Sequence, residues 1–323
     1  MAKLFVVVGA TGGQGGSVIK SFLGNPEWKL RGLTRNPKSE RARALAAQGV
    51  EMVAANLSDE KSVEAAFDGA AAIFAVTNFL ETFPANTSEQ CMEVEMNQAI
   101  NMAKAAAKVS TLEHYIWSTL PNSEAISGKD WFIPHFCGKG RVDAYIKKEL
   151  PSLYRKTTLL LIPLYGDNFQ YPVVTPHLIK STGKYAHLVP WNPDTPITLI
   201  GSHKDNTGVL AKAIIARGPR QLGGKYVLGD VETMTAEGML EVWSKATNKE
   251  SAFVQISLDD YEKLWPRFGT EMALMYLWWM HAGGNPWVPN GEELLRVKDL
   301  GLSEKDFVLT KDAILYHNWD ELC

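Results

Sequence analysis

A histidine and a lysine four positions apart, His135 and Lys139, are the side chains in this sequence best suited to moving a proton. Histidine titrates near neutral pH, and a lysine ammonium can act as an acid through a water molecule. Their segment has a helical pattern, so the two side chains lie one turn apart on one face. With Tyr165 they are the candidate catalytic residues, and Ser118 is a further donor. Two alternatives stay open: a histidine at a helix start can bond to backbone, and Lys139 can pair with Asp143.

A glycine-dense turn near the start of the chain is the element on which the position of these side chains depends. It follows five apolar residues, 4–8, a pattern typical of a strand buried on both faces. It precedes apolar residues at helical spacing over 17–23. Such a strand, turn and helix bind phosphate, because backbone N–H groups and the positive end of the helix dipole face the anion.

The glycines of this turn have G-x-x-G-x-x-G spacing. The first allows a sharp turn, the second lets a pyrophosphate approach the backbone, and the third lets the helix lie close to the strand. The alternative is a turn whose glycines serve only tight packing. We predict a dinucleotide site with these contacts: Gly9, Thr11, Gly12, Gly13, Gln14 and Gly15.

The end of the second predicted strand, residues 28–34, indicates which dinucleotide binds. A unit specific for NAD has an acidic residue here that binds the ribose 2′-hydroxyl. This chain has Thr34 and then Arg35, and a guanidinium binds a 2′-phosphate through paired N–H donors. We therefore predict NADP(H) as the cofactor. The alternative is that the arginines form the solvated face of the next helix, over 39–48, and it is favoured for Arg41 or Arg43.

Strands and helices alternate through the first half of the chain. Further strands are predicted over 50–55, 70–76 and 114–118, each after a helical segment, and a sixth over 159–163. This alternation predicts an α/β fold with a doubly wound parallel Rossmann sheet and ligands at the carboxyl ends of its strands. The residues at the carboxyl ends of the strands are the remaining predicted cofactor contacts: Asn56, Leu57, Thr77, Asn78 and Ser118.

The second half of the chain has a different character. Prolines divide it into short segments, with strands predicted over 197–200 and 225–229 and helices over 206–216 and 236–247. We expect a Rossmann domain over 1–155 and a smaller α+β substrate domain over 156–323, some of whose segments return to the Rossmann core. Its many tryptophan and tyrosine residues favour a pocket for a small hydrophobic substrate, although each of them taken singly is more typical of a core.

Composition excludes several functional classes. The chain has 323 residues, 46% hydrophobic and 21% charged, with a net charge of -3. That balance argues against a nucleic-acid surface, and no apolar run is long enough to span a membrane. Three scattered cysteines form neither a metal-binding spacing nor a disulfide framework, so a cytoplasmic location is the default expectation. The sequence predicts no metal site and does not indicate an oligomeric state.

Taken together, four motifs resemble the NmrA-like branch of the atypical short-chain dehydrogenases/reductases, to which isoflavone reductase-like enzymes are related. They are Gly9-Ala10-Thr11-Gly12-Gly13-Gln14-Gly15, Leu33-Thr34-Arg35-Asn36-Pro37, Pro134-His135-Phe136-x-x-Lys139 and Tyr165-x-x-Asn168-Phe169. The resemblance implies a Rossmann domain, NADP(H) binding and a small C-terminal substrate domain. It also implies that Asn168 belongs to the cofactor site, and that Lys139 holds the nicotinamide ribose.

The resemblance leaves two functions open. Ordinary members of the superfamily have Tyr-x-x-x-Lys with the tyrosine as proton donor, whereas this chain has His135 at that position. One hypothesis is an NADPH-dependent reductase of a ketone, imine or activated alkene. The other is a non-catalytic NADP(H) sensor that binds a regulatory protein. A sugar-nucleotide epimerase is disfavoured, because that chemistry usually needs the tyrosine and a tightly held NAD.

Overall fold

Buried apolar runs form the inner strands of the protein's central sheet. The computed structural model describes residues 2–83, 85–282 and 286–323. The strands in these ranges are β1 Lys3–Val7, β2 Trp28–Thr34, β3 Glu51–Ala54, β4 Ala72–Ala75, β5 His114–Thr119, β6 Thr157–Leu161, β7 His177–Ile179, β8 Lys184–Val189, β9 Pro196–Leu199, β10 Lys225–Leu228, β11 Glu232–Thr235, β12 Ser251–Gln255 and β13 Leu294–Arg296.

Helices connect most of the strands. In the same ranges they are α1 Gly13–Phe22, α2 Glu40–Ala47, α3 Glu60–Phe67, α4 Ser88–Lys108, α5 Ser123–Ser127, α6 Pro134–Glu149, α7 Pro151–Tyr154, α8 His203–Arg217, α9 Pro219–Leu222, α10 Ala236–Thr247, α11 Leu258–Leu264, α12 Phe268–His281, α13 Thr310–Ile314 and α14 Trp319–Leu322. None of these described helices is both long and apolar enough to cross a lipid bilayer.

The central sheet of the described chain contains eight parallel strands in the order β13-β10-β6-β5-β4-β1-β2-β3. The chain moves outward from β1 through β2 to β3, and then returns to the other side of β1 with β4. A crevice therefore opens at the carboxyl ends of these strands, where the order reverses. The predicted doubly wound Rossmann sheet is confirmed.

Both faces of the sheet are buried, as the apolar run in β1 predicts. Val6 packs in the cluster on one face, which includes Ala99 and Met102 of α4. Phe5 packs in the cluster on the other face, which includes Ile19 of α1 and Leu210 of α8. Since successive side chains of a strand point to opposite faces, an unbroken apolar run is what a central strand requires.

Smaller sheets and a tryptophan-rich helix lie beyond the Rossmann core. Strands β12, β8 and β7 form one sheet, and β11 pairs with β9 in another. The apolar run near residue 275 forms α12, which buries Trp278 and Trp279. Four of these strands, β7, β8, β11 and β12, were not predicted from the sequence, because they alternate polar and apolar residues only briefly.

Two helices begin earlier than the sequence pattern predicts. The helix expected over 17–23 begins at Gly13, and the one expected over 206–216 begins at His203. The two helices cross in close contact, and the Gly208 N–H donates to Ser17 Oγ at 2.8 Å. A β-carbon at Gly208 would lie 2.2 Å from the Ser17 carbonyl oxygen, so only glycine fits at this crossing.

We predict that Gly208→Ala separates α1 from α8 and lowers the free energy of unfolding by about 1–3 kcal/mol, because backbone atoms cannot yield as a flexible side chain can. Urea unfolding followed by circular dichroism measures the change. Gly16→Ala is the matched control, because a β-carbon there would meet Ala10 O at an ordinary 3.4 Å. That substitution should gain up to about 1 kcal/mol of helix propensity. Equal stability of the two variants would contradict the crossing argument.

Candidate functional site

The glycine turn has the geometry of an anion site. Gly9 has a φ of 65°, in the left-handed region that favours glycine, and its carbonyl accepts from the Gly12 N–H at 2.8 Å. Gly12 caps α1 without a side-chain hydrogen bond, so the first N–H groups of the helix remain available at the cleft. A β-carbon at Gly15 would lie 2.4 Å from Gly9 O, so α1 packs directly on the turn.

Gly13 leaves room for a histidine that the sequence analysis did not identify. A β-carbon there would lie 2.3 Å from Nε2 of His203. The His203 ring stacks on Tyr165, with ring centroids 3.8 Å apart and planes 12° apart. Burial raises the pKa of Tyr165 to about 12, so the phenol stays protonated. The stack therefore fixes Tyr165 against the glycine turn.

A buried carboxylate, Asp167, holds this stack in place. Its oxygens lie 3.5 Å from His203 Nδ1, 3.1 Å from Lys204 Nζ and 2.8 Å from His317 Nε2. Burial by itself would raise the pKa of Asp167, but the nearby His203, the hydrogen bond with His317 and the lysine charge outweigh it and lower that pKa. Asp167 thus joins the cleft to the C-terminal segment through His317.

The predicted adenosine end of the cleft is lined by Thr34, Arg35, Asn56 and Leu57. The Asn56 side chain accepts from the Ser58 N–H at 3.1 Å, which shapes the loop after β3. Arg35 follows β2 and forms an ion pair with Glu81, which belongs to a single turn of 3₁₀ helix over Phe79–Glu81. All four predicted residues therefore lie at one end of one cleft.

At its other end the cleft meets a second cavity, and the two share lining residues Gln14, Thr77, Asn78, Tyr165 and Tyr171. Gln14 connects the elements at this junction. Its Nε2 donates to the Tyr165 hydroxyl at 2.9 Å, and its Oε1 accepts from Ser118 Oγ at 2.7 Å. Ser118 and Asn168, both predicted as cofactor contacts, line the second cavity rather than the cleft.

Lys139 is buried at this junction. Its ammonium donates to Thr77 Oγ1 at 2.7 Å and lies 3.2 Å from Glu95 Oε1. The Thr77 hydroxyl in turn donates to the same Glu95 oxygen at 2.8 Å. The other oxygen, Oε2, is buried without a hydrogen-bond partner among the described residues. Lys139 is therefore held at the carboxyl ends of β4 and β5 by a carboxylate from α4.

The alternative partner of Lys139, Asp143, is occupied elsewhere. Its carboxylate accepts from Trp117 Nε1 at 2.8 Å, from Thr119 Oγ1 at 2.8 Å and from the Tyr226 hydroxyl at 3.2 Å. Burial raises the pKa of Asp143 to about 7, against the effect of these three donors. The alternative prediction of a surface salt bridge between Lys139 and Asp143 is therefore wrong.

His135 also has a buried carboxylate as its partner. Its Nδ1 lies 2.5 Å from Glu271 Oε1 of α12, and its backbone N–H donates to the same oxygen at 3.2 Å. Burial would raise the pKa of Glu271, but the hydrogen bond and charge of His135 lower it below its usual value. The ring is thus bound to a carboxylate instead of the backbone group that the alternative required.

Aromatic and apolar side chains line most of the second cavity. Beside His135 and Lys139 they include Phe79, Phe136, Leu164, Tyr171, Phe268 and Trp279. Of the adjacent tryptophans, Trp279 lines this cavity while Trp278 packs against Trp131. Asn168 Oδ1 is buried at this cavity without a hydrogen-bond partner among the described residues. The cavity therefore combines an apolar wall with a small number of polar groups.

Sequence reasoning missed three residues that hold this site together: Glu95, His203 and Glu271. Glu95 lies in a long helix, α4, whose other acidic residues, Glu89 and Glu93, are exposed, so it has no local motif. One signal was available for Glu271, because a charged residue within the apolar stretch of α12 needs a buried partner.

Comparison with protein families gives a match to the NmrA-like family over residues 1–285. The chain belongs to the NmrA-like family. An NmrA-like family domain-containing protein of Dictyostelium discoideum is 27% identical over 288 residues, which cover 88% of this chain and 89% of that protein. The NmrA-like family domain-containing oxidoreductase FrzB of Cladobotryum is 24% identical over 314 residues, 91% of this chain and 88% of that protein.

Among solved structures, NmrA, a negative transcriptional regulator in complex with NADP, superposes with a TM-score of 0.74. The match covers 99% of each chain at 21% identity. At this identity the likeness confirms the fold of this NmrA-like chain, and the function has to be argued from its own residues.

The raised pKa of Asp143 predicts a pH-dependent stability. The folded protein binds this proton more tightly than the unfolded chain does, so the free energy of unfolding falls as pH rises from the ordinary 3.8 through about 7. Asp143→Asn removes this contribution. The loss of stability between about pH 5 and about pH 8 should therefore be smaller in the variant, as urea unfolding at the two pH values would measure. Asp130→Asn, at an exposed aspartate, should leave the wild-type difference unchanged.

Proposed function

We propose that the protein is an NADPH-dependent oxidoreductase that reduces a ketone, imine or activated alkene of a hydrophobic, aromatic substrate. The observation that carries the proposal is the junction of the two cavities. There a buried lysine and a histidine, each beside its own carboxylate, face the space next to the inner end of the cleft. Residues 156–323 would then serve mainly as the substrate-binding subdomain, and residues 1–155 as the dinucleotide-binding domain.

The cleft suits a dinucleotide with an additional phosphate. The N–H groups at the start of α1 would bind the pyrophosphate, and Arg35 would bind the 2′-phosphate. The tight fit at Gly15 leaves no space for a side chain between helix and turn, so the N–H groups stay at the cleft surface. When bound, NADPH supplies the hydride.

Lys139 would bind the ribose hydroxyls nearest the junction. Its ammonium is fixed by Thr77 and Glu95, so it would meet a ligand without first losing side-chain freedom. Gln14, Ser118 and Tyr165 form a hydrogen-bonded chain along the same wall and can donate or accept as a ligand requires. These groups orient the ligand rather than react with it.

His135 is the proton donor that the proposal requires. Glu271 binds Nδ1, and among the described residues no partner binds Nε2, which is therefore available to the cavity. A protonated ring would deliver the Nε2 proton to the oxygen or nitrogen that becomes negatively charged as the hydride arrives. The Glu271 carboxylate, bound at Nδ1, sets the orientation of the ring.

A second function, the NADP(H) sensor that binds a regulatory protein, is favoured by two observations. The tyrosine of Tyr-x-x-x-Lys is replaced by His135, and the chain has the fold of NmrA, a negative transcriptional regulator. FrzB, by contrast, is named an oxidoreductase. Either function is compatible with a cytoplasmic location, because Cys91, Cys137 and Cys323 are free thiols.

Two measurements on the purified protein test the proposal. Calorimetry should detect binding of NADPH, and loss of NADPH absorbance should report turnover with a panel of aromatic ketones, imines and activated alkenes. Tight NADPH binding without turnover on any of them, together with a stable protein complex, would favour the sensor. Absence of NADPH binding would overturn both functions.

Lys139→Ala should reduce NADPH affinity or turnover at least about tenfold, because it removes a fixed charge from the ligand and leaves Glu95 unpaired. Lys147→Ala is the matched control, since Lys147 lies two turns later on α6, is exposed and pairs with Glu292. Binding is measured by calorimetry and turnover by NADPH absorbance. Unchanged values in the Lys139 variant would refute this role.

A further inference from the structure

The charges along the cleft are few. Among the described residues that line it, Arg35 is the one permanent cation and Glu81 is the one carboxylate. The two form an ion pair with each other. The only charged side chains that could recognise a ligand's charge in the described part of the cleft therefore neutralise each other. The backbone N–H groups of the glycine turn are left to bind the pyrophosphate.

This pair spans the crevice. Arg35 follows β2, whereas Glu81 ends the short turn after β4, and β1 lies between β2 and β4 in the sheet. Asn78 fixes the start of that turn, because its side chain accepts from the Leu80 N–H at 3.2 Å. The carboxylate therefore comes from a different strand than in the usual NAD-binding unit, where it ends the second strand.

We infer that Arg35 and Glu81 form a two-way selector for the adenosine ribose, so that the cleft accepts both NADP(H) and NAD(H). This inference rests on the proposed dinucleotide function. With a 2′-phosphate, Arg35 leaves Glu81 and binds the phosphate. With a free 2′-hydroxyl, Glu81 keeps Arg35 and accepts a hydrogen bond from the hydroxyl, as an acidic residue does in NAD-specific sites.

The exposure of the pair makes this exchange feasible. The side chain of Arg35 is 74% exposed, and that of Glu81 is 33% exposed. An ion pair so accessible to water is weak, whereas a guanidinium bound to phosphate gains a doubly charged partner and paired hydrogen bonds. Glu81 also repels the phosphate, so it reduces the preference for NADP(H) that Arg35 alone would produce.

Calorimetric titration of the full chain with NADP⁺ and NAD⁺ tests the inference. Glu81→Gln should tighten NADP⁺ binding by about tenfold and weaken NAD⁺ binding severalfold, because the competing charge and the hydroxyl acceptor are both lost. Arg35→Gln should weaken NADP⁺ binding by about tenfold or more and leave NAD⁺ binding within about twofold. Glu89→Gln is the matched control, since Glu89 is an exposed acid nearby that lines neither cavity.

The outcomes separate this inference from the function on which it rests. If the wild type binds NADP⁺ but Glu81→Gln leaves the ratio of the two affinities unchanged, the selector is overturned and the dinucleotide site stands. If Glu81→Gln and Glu89→Gln change the ratio of the two affinities equally, the change comes from the loss of any nearby negative charge, and the selector is again overturned. If the wild type binds neither dinucleotide, the proposed function fails and the selector fails with it. Thermal melting confirms that each variant is folded.

Discussion

The direct contact between the start of α1 and the glycine turn is the constraint on which the rest of the site depends. With no side chain at Gly15, the helix rests on the carbonyl of Gly9. The positive end of the helix dipole then lies at the crevice where the strand order reverses. Gly208 extends the same constraint, because α8 packs on α1 at backbone distance and carries His203 to the cleft. Two close backbone contacts thus position the site: α1 on the glycine turn at Gly15, and α8 on α1 at Gly208.

Carboxylates organise the interior around this frame. Lys139 is beside Glu95, His135 is beside Glu271, and His203 is beside Asp167. A buried charge is costly without a partner, so each base near the cavity requires its own acid. The partners come from helices and loops distant in sequence. Through Glu271, the C-terminal half orients His135 of the N-terminal half.

The sequence allows the fold to be predicted more completely than the site. The β1 run, the glycine spacing and the alternation of elements are local signals, and the structure confirms the parallel sheet that they predict. They bring the predicted residues to one cleft and its neighbouring cavity. The partners Glu95 and Glu81 have no comparable signal, and a lone charge in the apolar stretch of α12 does not reveal that Glu271 pairs with His135, because each meets its base only after distant segments pack. The i+4 spacing of Lys139 and Asp143 allowed a surface salt bridge, but both side chains are buried and the Asp143 carboxylate accepts hydrogen bonds from Trp117 and Thr119 instead.

The wall that the two cavities have in common has a consequence for the order of events. A dinucleotide lying along the cleft would itself form part of the lining beside Gln14, Thr77 and Tyr165. The wall of the aromatic cavity is then complete only when the dinucleotide is bound. For the proposed reductase, steady-state kinetics would accordingly be of the compulsory-order type: the dinucleotide would bind first and leave last, and the organic substrate would have little affinity for the free protein.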